Sequence, residues 1–123
     1  MEDIEALRRI TQPCACGTQR PSYTPEYRRG VEYVRRRMEA FGLKTREDNA
    51  GNLYGLLEGR QPDAPKLISG SHLDSVKCSG AYDGIAGVLC ALEAARMIVE
   101  SGVPLRRPLE VLDVIDSEEA FLA

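Results

Sequence analysis

The sequence contains only one histidine, has no excess of positive charge and has no long hydrophobic run. No apolar stretch approaches the roughly 20 residues that a membrane-spanning helix needs. The first ten residues, MEDIEALRRI, are acidic and mixed in polarity, which is not the pattern of a secretory signal. The formal net charge of −3 is opposite in sign to the basic surface that nucleic-acid binding favours. We therefore expect a cytoplasmic protein with neither a nucleic-acid nor a membrane partner.

The cysteines do not form a recognisable zinc-binding pattern. Two of the four, Cys14 and Cys16, form a C-x-C pair, whereas redox motifs and zinc ribbons use C-x-x-C. No second pair of matching spacing follows, so a metal site at this pair is disfavoured. Without an export signal, we expect Cys14, Cys16, Cys78 and Cys90 all to be thiols in a reducing compartment.

The clearest helix signal begins at Thr24, which can cap a helix whose first residues are Pro25 and Glu26. Apolar residues recur at spacings of three and four from Tyr27 onward, and Gly42 suits the end of the helix. This pattern predicts a helix over residues 25–41. A shorter amphipathic helix is predicted over residues 1–10, and a third helix over residues 85–101.

Short apolar runs at residues 53–57, 67–69 and 109–115 predict strands. A strand, a helix and a further strand in succession imply a right-handed crossover and a parallel pair of strands. The expected fold class is therefore α/β, a three-layer sandwich with a largely parallel or mixed sheet. We expect one face of this sheet to be poorly covered.

The stretch SGSHLDSVKCSGAYDGIAG places His72 and Asp74 directly after one predicted strand, and Asp83 before the third helix. Glu118 and Glu119 follow the next strand, so all five side chains should meet at the carboxyl end of the sheet. Imidazole and carboxylate groups are suitable zinc ligands, and an aspartate can bridge two metal ions. Asp74 is placed to accept the second N–H of the imidazole. Of two adjacent glutamates, one can bind metal while the other accepts a proton from water.

Each of these fragments also has an ordinary interpretation. A lone histidine is usually not a ligand, adjacent glutamates are usually solvated, and Asp83-Gly84 alone is typical of a turn. The joint pattern leaves a metal site and an ordinary polar loop as equal alternatives.

Several stretches together resemble one family of enzymes: GSHLDSV, YDGIAGV, RRPLEVLDVID with EE, and upstream YTPEYRRG and AGNLYG. They are similar to the N-terminal part of the allantoate amidohydrolase and N-carbamoyl-L-amino acid hydrolase (hydantoinase/carbamoylase) family. These two-metal amidohydrolases are related to aminoacylases and glutamate carboxypeptidases. The resemblance spans residues 17–119. It implies an incomplete zinc-peptidase-like catalytic domain that hydrolyses non-peptide C–N bonds of amide, ureido or amidine type, as in N-carbamoyl-L-amino acids or allantoate.

The resemblance also implies roles for the site residues. His72 would bind one of two divalent metal ions (zinc, manganese or cobalt), and Asp83 would bridge both. Glu118 would be the general base and Glu119 a ligand of the second ion. Counting along the preceding strand without a gap instead places Ser117 at the base position and Glu118 at the ligand position. We favour the paired assignment, because the two-glutamate site needs both carboxylates.

The family members are several times longer and homodimeric. By this resemblance, residues 1–123 are the N-terminal portion of a metallohydrolase catalytic domain, with the dimerisation domain and the C-terminal half absent. The isolated chain is then expected to be inactive, because too few ligands remain for either ion. A truncated or degenerate non-catalytic α/β domain, and a metallopeptidase or aminoacylase-type relative, remain alternatives.

Overall fold

The computed structural model describes residues 1–118, in which three helices and six strands are formed. The helices are α1 (Glu2–Arg9), α2 (Pro25–Ala40) and α3 (Ile85–Ser101), and the strands are β1 (Thr18–Arg20), β2 (Lys44–Glu47), β3 (Leu53–Leu57), β4 (Leu67–Ser71), β5 (Ser75–Ser79) and β6 (Leu109–Asp113). The predicted bounds of α3 and β3 are confirmed. The other predicted elements differ by one or two residues at their ends.

Four strands form a mixed sheet in the order β2-β3-β6-β4. Only β4 and β6 are parallel, with Leu67 opposite Leu109 and Ser71 opposite Asp113. Helix α3 lies between these two strands in the chain and packs against both. The predicted α/β class is confirmed, and β4 and β6 end at the same edge of the sheet.

Helix α2 begins as its sequence predicts. The hydroxyl of Thr24 accepts a hydrogen bond from the backbone N–H of Tyr27 at 3.2 Å, and Pro25 occupies the first turn. The apolar stripe of the helix, including Val31, Val34 and Met38, is fully buried. Within residues 1–118, no helix is both long enough and apolar enough to cross a membrane.

The helices cover one face of the mixed sheet. Core residues of α2 and α3 form one buried cluster with Leu53 and Val111, which point to the same side of their strands. On the other face, Ile68 is 59% exposed, and buried Glu110 is paired with Arg46 and Lys66. Residues 1–118 therefore supply two of the three expected layers, and the poorly covered face is present.

A second, two-stranded sheet pairs β1 with β5, two segments for which the sequence predicts no strand. Gly17 allows this approach: its φ is +68°, and a Cβ atom there would lie 2.3 Å from the carbonyl oxygen of Ser79. A disulfide joins Cys16 to Cys78, so the expectation that all four cysteines are thiols is wrong for these two. The pairing between segments 62 residues apart brings the two sulfurs together, which local spacing does not reveal.

Leu53 tests the core beneath the sheet, since its side chain is fully buried. We expect Leu53→Ala to lower the free energy of unfolding by about 2–5 kcal/mol, because it removes apolar contacts and leaves a cavity. Leu67→Ala is the matched control on β4, where the leucine is 48% exposed, and should cost less than about 1 kcal/mol. Urea denaturation measures both values. Equal losses would show that the core is not where the burial pattern places it.

Candidate metal centre

The segments that follow β4 and β6 lie side by side at one edge of the sheet. The backbone N–H of Val114 donates to the carbonyl of Ser71 at 2.8 Å and fastens the two segments together. His72 follows β4 directly, and Glu118 closes the turn after β6. Asp83 lies just before α3 and reaches the same edge.

His72, Asp83 and Glu118 form a cluster whose potential ligand atoms all lie within 4.8 Å of one another. The Nε2 atom of His72 is 3.3 Å from Oε1 of Glu118 and 3.9 Å from Oδ1 of Asp83. The Nδ1 atom is 2.9 Å from the carbonyl oxygen of Asp74, which accepts a hydrogen bond when Nδ1 carries the proton. In that tautomer the Nε2 lone pair faces two carboxylates, an arrangement that a bound cation would stabilise. The donor set therefore fits a divalent metal ion.

Asp74 is fully buried and links two parts of the cluster. Its Oδ2 accepts a hydrogen bond from the backbone N–H of Glu118 at 3.0 Å. Its Oδ1 lies 3.5 Å from Nδ1 of His72 and has no hydrogen-bond partner among residues 1–118. The sequence predicted a carboxylate contact to the imidazole, whereas the shorter contact runs through the Asp74 carbonyl. Because Nδ1 carries a single proton, which the Asp74 carbonyl accepts, this carboxylate oxygen has no donor from the ring.

Gly84 fixes the distance between α3 and the imidazole. Its φ is +68°, and a Cβ atom would lie 2.4 Å from the carbonyl of His72 and 2.5 Å from two atoms of the ring. Any larger residue would displace His72 or the start of α3. The neighbouring Asp83 is oriented by the Ser79 hydroxyl, which donates to its Oδ2 at 2.7 Å.

The turn that carries Glu118 is fixed by side chains from distant parts of the chain. The Asn52 side chain accepts from the backbone N–H of Ile115 at 2.9 Å, and the Ser22 hydroxyl accepts from that of Asp116 at 3.0 Å. Ser117 is exposed. The predicted ligand Glu119 lies outside the described residues.

Sequence patterns alone do not reveal the buried polar groups that hold the His72 loop. Arg20 donates from Nε to the carbonyl of Leu73 at 2.7 Å, and Asp113 accepts from the Leu73 backbone N–H at 2.8 Å. The hydroxyl of Tyr27 donates to the other carboxylate oxygen of Asp113 at 2.9 Å. The available signal was an acid at an inward-facing position of an apolar strand, LEVLD, where a buried charge needs partners.

Burial dominates the electrostatics of this polar group. It raises the pKa of Asp113 to about 7, although the hydrogen bonds from Tyr27 and Leu73 oppose the shift. Burial and the nearby Asp113 carboxylate raise the pKa of Tyr27. Burial lowers the pKa of Arg20, an effect that Asp113 and Asp74 oppose.

Comparison with known proteins gives the family. The sequence profile of Peptidase family M28 matches residues 52–123, more than half of the chain. The chain therefore belongs to Peptidase family M28.

Two of the curated relatives are amidohydrolases by name. An N-carbamoyl-L-amino-acid amidohydrolase of Paenarthrobacter aurescens is 44% identical over 104 residues, covering 85% of this chain and 25% of the relative. An allantoate amidohydrolase of Bacillus subtilis is 36% identical over 115 residues, covering 94% and 28%. A hydantoinase/carbamoylase family amidase from Burkholderia ambifaria superposes with a TM-score of 0.92 at 29% identity, over 97% of this chain and 29% of that one. The resemblance noted in the sequence is confirmed, and the chain spans about a quarter of the length of these curated relatives.

Asp113 should make stability depend on pH. Its pKa is higher in the folded chain than in the unfolded one, so its stabilising contribution is complete below about pH 4 and is lost as the pH rises through about 7. We expect the free energy of unfolding to fall by about 2 kcal/mol more in the native chain than in Asp113→Asn between pH 5 and pH 8. Urea denaturation at both pH values measures this. Asp63→Asn, at an exposed site, is the control and should behave as the native chain; identical pH dependence in Asp113→Asn would contradict the assignment.

Proposed function

We propose that this chain carries part of the metal centre of an amidohydrolase that cleaves non-peptide C–N bonds. The observation that carries the proposal is the cluster of His72, Asp83 and Glu118, with Nε2 of the imidazole facing both carboxylates. Two of these residues lie at the ends of parallel strands or just beyond them, where α/β proteins commonly bind ligands.

The substrate class proposed is a small molecule with a carbamoyl or ureido group, such as an N-carbamoyl-L-amino acid or allantoate. The names of the two curated relatives support this choice. The chain spans about a quarter of each relative. We therefore expect the activity to need more of the polypeptide than residues 1–118. Homodimer formation and a cytoplasmic location remain predictions.

The residues present would hold one divalent ion between His72, Asp83 and Glu118, and Asp83 has a second carboxylate oxygen with which to bridge to another. A bound ion would supply Lewis-acid polarisation of the substrate carbonyl and a water of lowered pKa. The chain's own residues orient the ligands. The Asp74 carbonyl fixes the ring of His72, Ser79 fixes the carboxylate of Asp83, and the Asp74 carboxylate fixes the backbone of Glu118.

For the glutamates, the geometry supports the ungapped assignment over the paired one. Glu118 contacts His72 within the cluster, which is a ligand's position, and Ser117 then occupies the position of the general base. A serine hydroxyl cannot accept the proton of a water molecule as a general base at neutral pH. The paired assignment, with Glu118 as base and Glu119 as ligand, remains a prediction.

Metal affinity distinguishes the two assignments. If Glu118 is a ligand, we expect Glu118→Gln to weaken binding of manganese and zinc by roughly tenfold or more, because a charged ligand becomes neutral. Glu119→Gln is the matched control, an identical change one residue away, and should leave the affinity nearly unchanged. Isothermal titration calorimetry on both variants measures this. The reverse order of effects would restore the paired assignment.

Activity is tested in a chimera in which residues 1–118 replace the matching part of the Paenarthrobacter aurescens relative. We expect slow hydrolysis of N-carbamoyl-L-amino acids, an increase of roughly 10²–10⁴ in kcat on Ser117→Glu, and loss of activity on Asp83→Ala. The isolated chain should hydrolyse none of these substrates or allantoate with either metal.

A second candidate is a domain that binds a cation but no longer catalyses hydrolysis, which the exposed Ser117 at the base position favours. A chimera that folds, binds metal and stays inactive after Ser117→Glu would select this candidate. Cleavage of aminoacyl-p-nitroanilides in preference to carbamoyl substrates would instead select a peptidase or aminoacylase.

A further inference from the structure

Three cysteines meet at β5 in a cluster that shares no residue with that of His72, Asp83 and Glu118. Cys14 and Cys16 lie on the loop before β1, and Cys78 lies near the end of β5. Their sulfur atoms all lie within 4.8 Å of one another. The fourth cysteine, Cys90, lies on α3 and is exposed.

The disulfide joins Cys16 to Cys78, and it does not explain why the thiol of Cys14 lies beside them. The Sγ atom of Cys14 lies only 3.4 Å from that of Cys78 and 2.6 Å from the carbonyl oxygen of Cys16. Three sulfurs in a tetrahedral zinc site lie about 3.8 Å apart, because each Zn–S bond is about 2.3 Å. If the three cysteine side chains moved slightly apart, their sulfur atoms would reach the spacing that one shared zinc ion requires.

The backbone is shaped to bring the three cysteines together. Cys78 has a φ of +58°, which is uncommon for a residue other than glycine. Gly17, at φ +68°, allows the C-x-C loop to lie directly against Cys78, since a Cβ atom there would be 3.0 Å from the Cys78 carbonyl carbon. Two unusual backbone conformations on segments far apart in the chain thus converge on this one cluster.

We propose that Cys14, Cys16 and Cys78, when reduced, form a trithiolate site for a soft cation of the zinc class. A dithiol reductant first breaks the Cys16–Cys78 bond and is itself oxidised to a disulfide, which leaves three thiols. Binding of the cation releases one proton from each thiol that becomes a ligand. Cys16 and Cys78 are exposed, so water can complete the fourth position.

Such a site would be structural and would stand independently of the proposed hydrolase function. A cation there fastens the loop before β1 to β5, as the disulfide does in the oxidised chain. The next residue after Cys78 is Ser79, whose hydroxyl orients Asp83. The soft site and the candidate metal centre are therefore joined through adjacent residues of β5, although they use different ligands.

Cadmium titration tests the proposal, because thiolate–cadmium bonds give an ultraviolet charge-transfer band that imidazole and carboxylate ligands do not give. The full chain is reduced, freed of reductant under anaerobic conditions and titrated as the native, Cys14→Ser and Cys90→Ser forms. We expect one equivalent of cadmium to saturate the band in the native and Cys90→Ser chains, with zinc competing. In Cys14→Ser the band should fall by about one third and the affinity by roughly tenfold or more, since one of three thiolates is lost.

Cys14→Ser is the decisive variant, because the disulfide does not include Cys14 and can form without it. If the cluster serves only as a disulfide, Cys14→Ser will match the native chain, and the proposal is overturned. Absence of the band in the reduced native chain would overturn it as well. So would mass-spectrometric mapping of the reduced chain in which Cys14 is alkylated as readily with one equivalent of cadmium as without it.

Discussion

Two buried polar side chains hydrogen-bond the backbone on either side of Leu73, and the position of His72 depends on these contacts. Arg20 binds the Leu73 carbonyl and, through a second nitrogen, the carbonyls of Leu7 and Ile10. Asp113 binds the Leu73 N–H. Both side chains are almost entirely excluded from water, so loss of a hydrogen-bond partner would leave a buried polar group unsatisfied at a cost of about 1–3 kcal/mol. The loop therefore moves only if α1, β1 and β6 move with it.

Local signals in the sequence predict all three helices and half of the strands of residues 1–118. Thr24-Pro25 and the apolar stripe of α2 define that helix almost to the residue, and α3 is predicted with its observed bounds. The convergence of His72, Asp83 and Glu118 also follows from the sequence, because the carboxyl ends of parallel strands meet at one edge. These features depend on short-range periodicity and on the handedness of one crossover.

The remaining features depend on contacts between distant residues, which spacing along the chain does not encode. Strands β1 and β5 are short and pair although about sixty residues separate them in the chain. The disulfide between Cys16 and Cys78 follows from that pairing. The local sequence around Arg20 carries no signal of its role, which only its burial and its hydrogen bond to the Leu73 carbonyl reveal. The contact from His72 to the Asp74 carbonyl rather than its carboxylate depends on the path of the backbone through residues 72–74.

Strand β4 lies at the edge of the mixed sheet, and within residues 1–118 it pairs on one side only, with β6. Its residues Leu67 and Ile68 are about half exposed, and the unpaired side offers backbone donors and acceptors beside apolar side chains. Such an edge is a template on which a further strand from the same or another molecule can add. Within residues 1–118, β4 is consequently the apolar edge at which two molecules of the isolated chain would begin to pair.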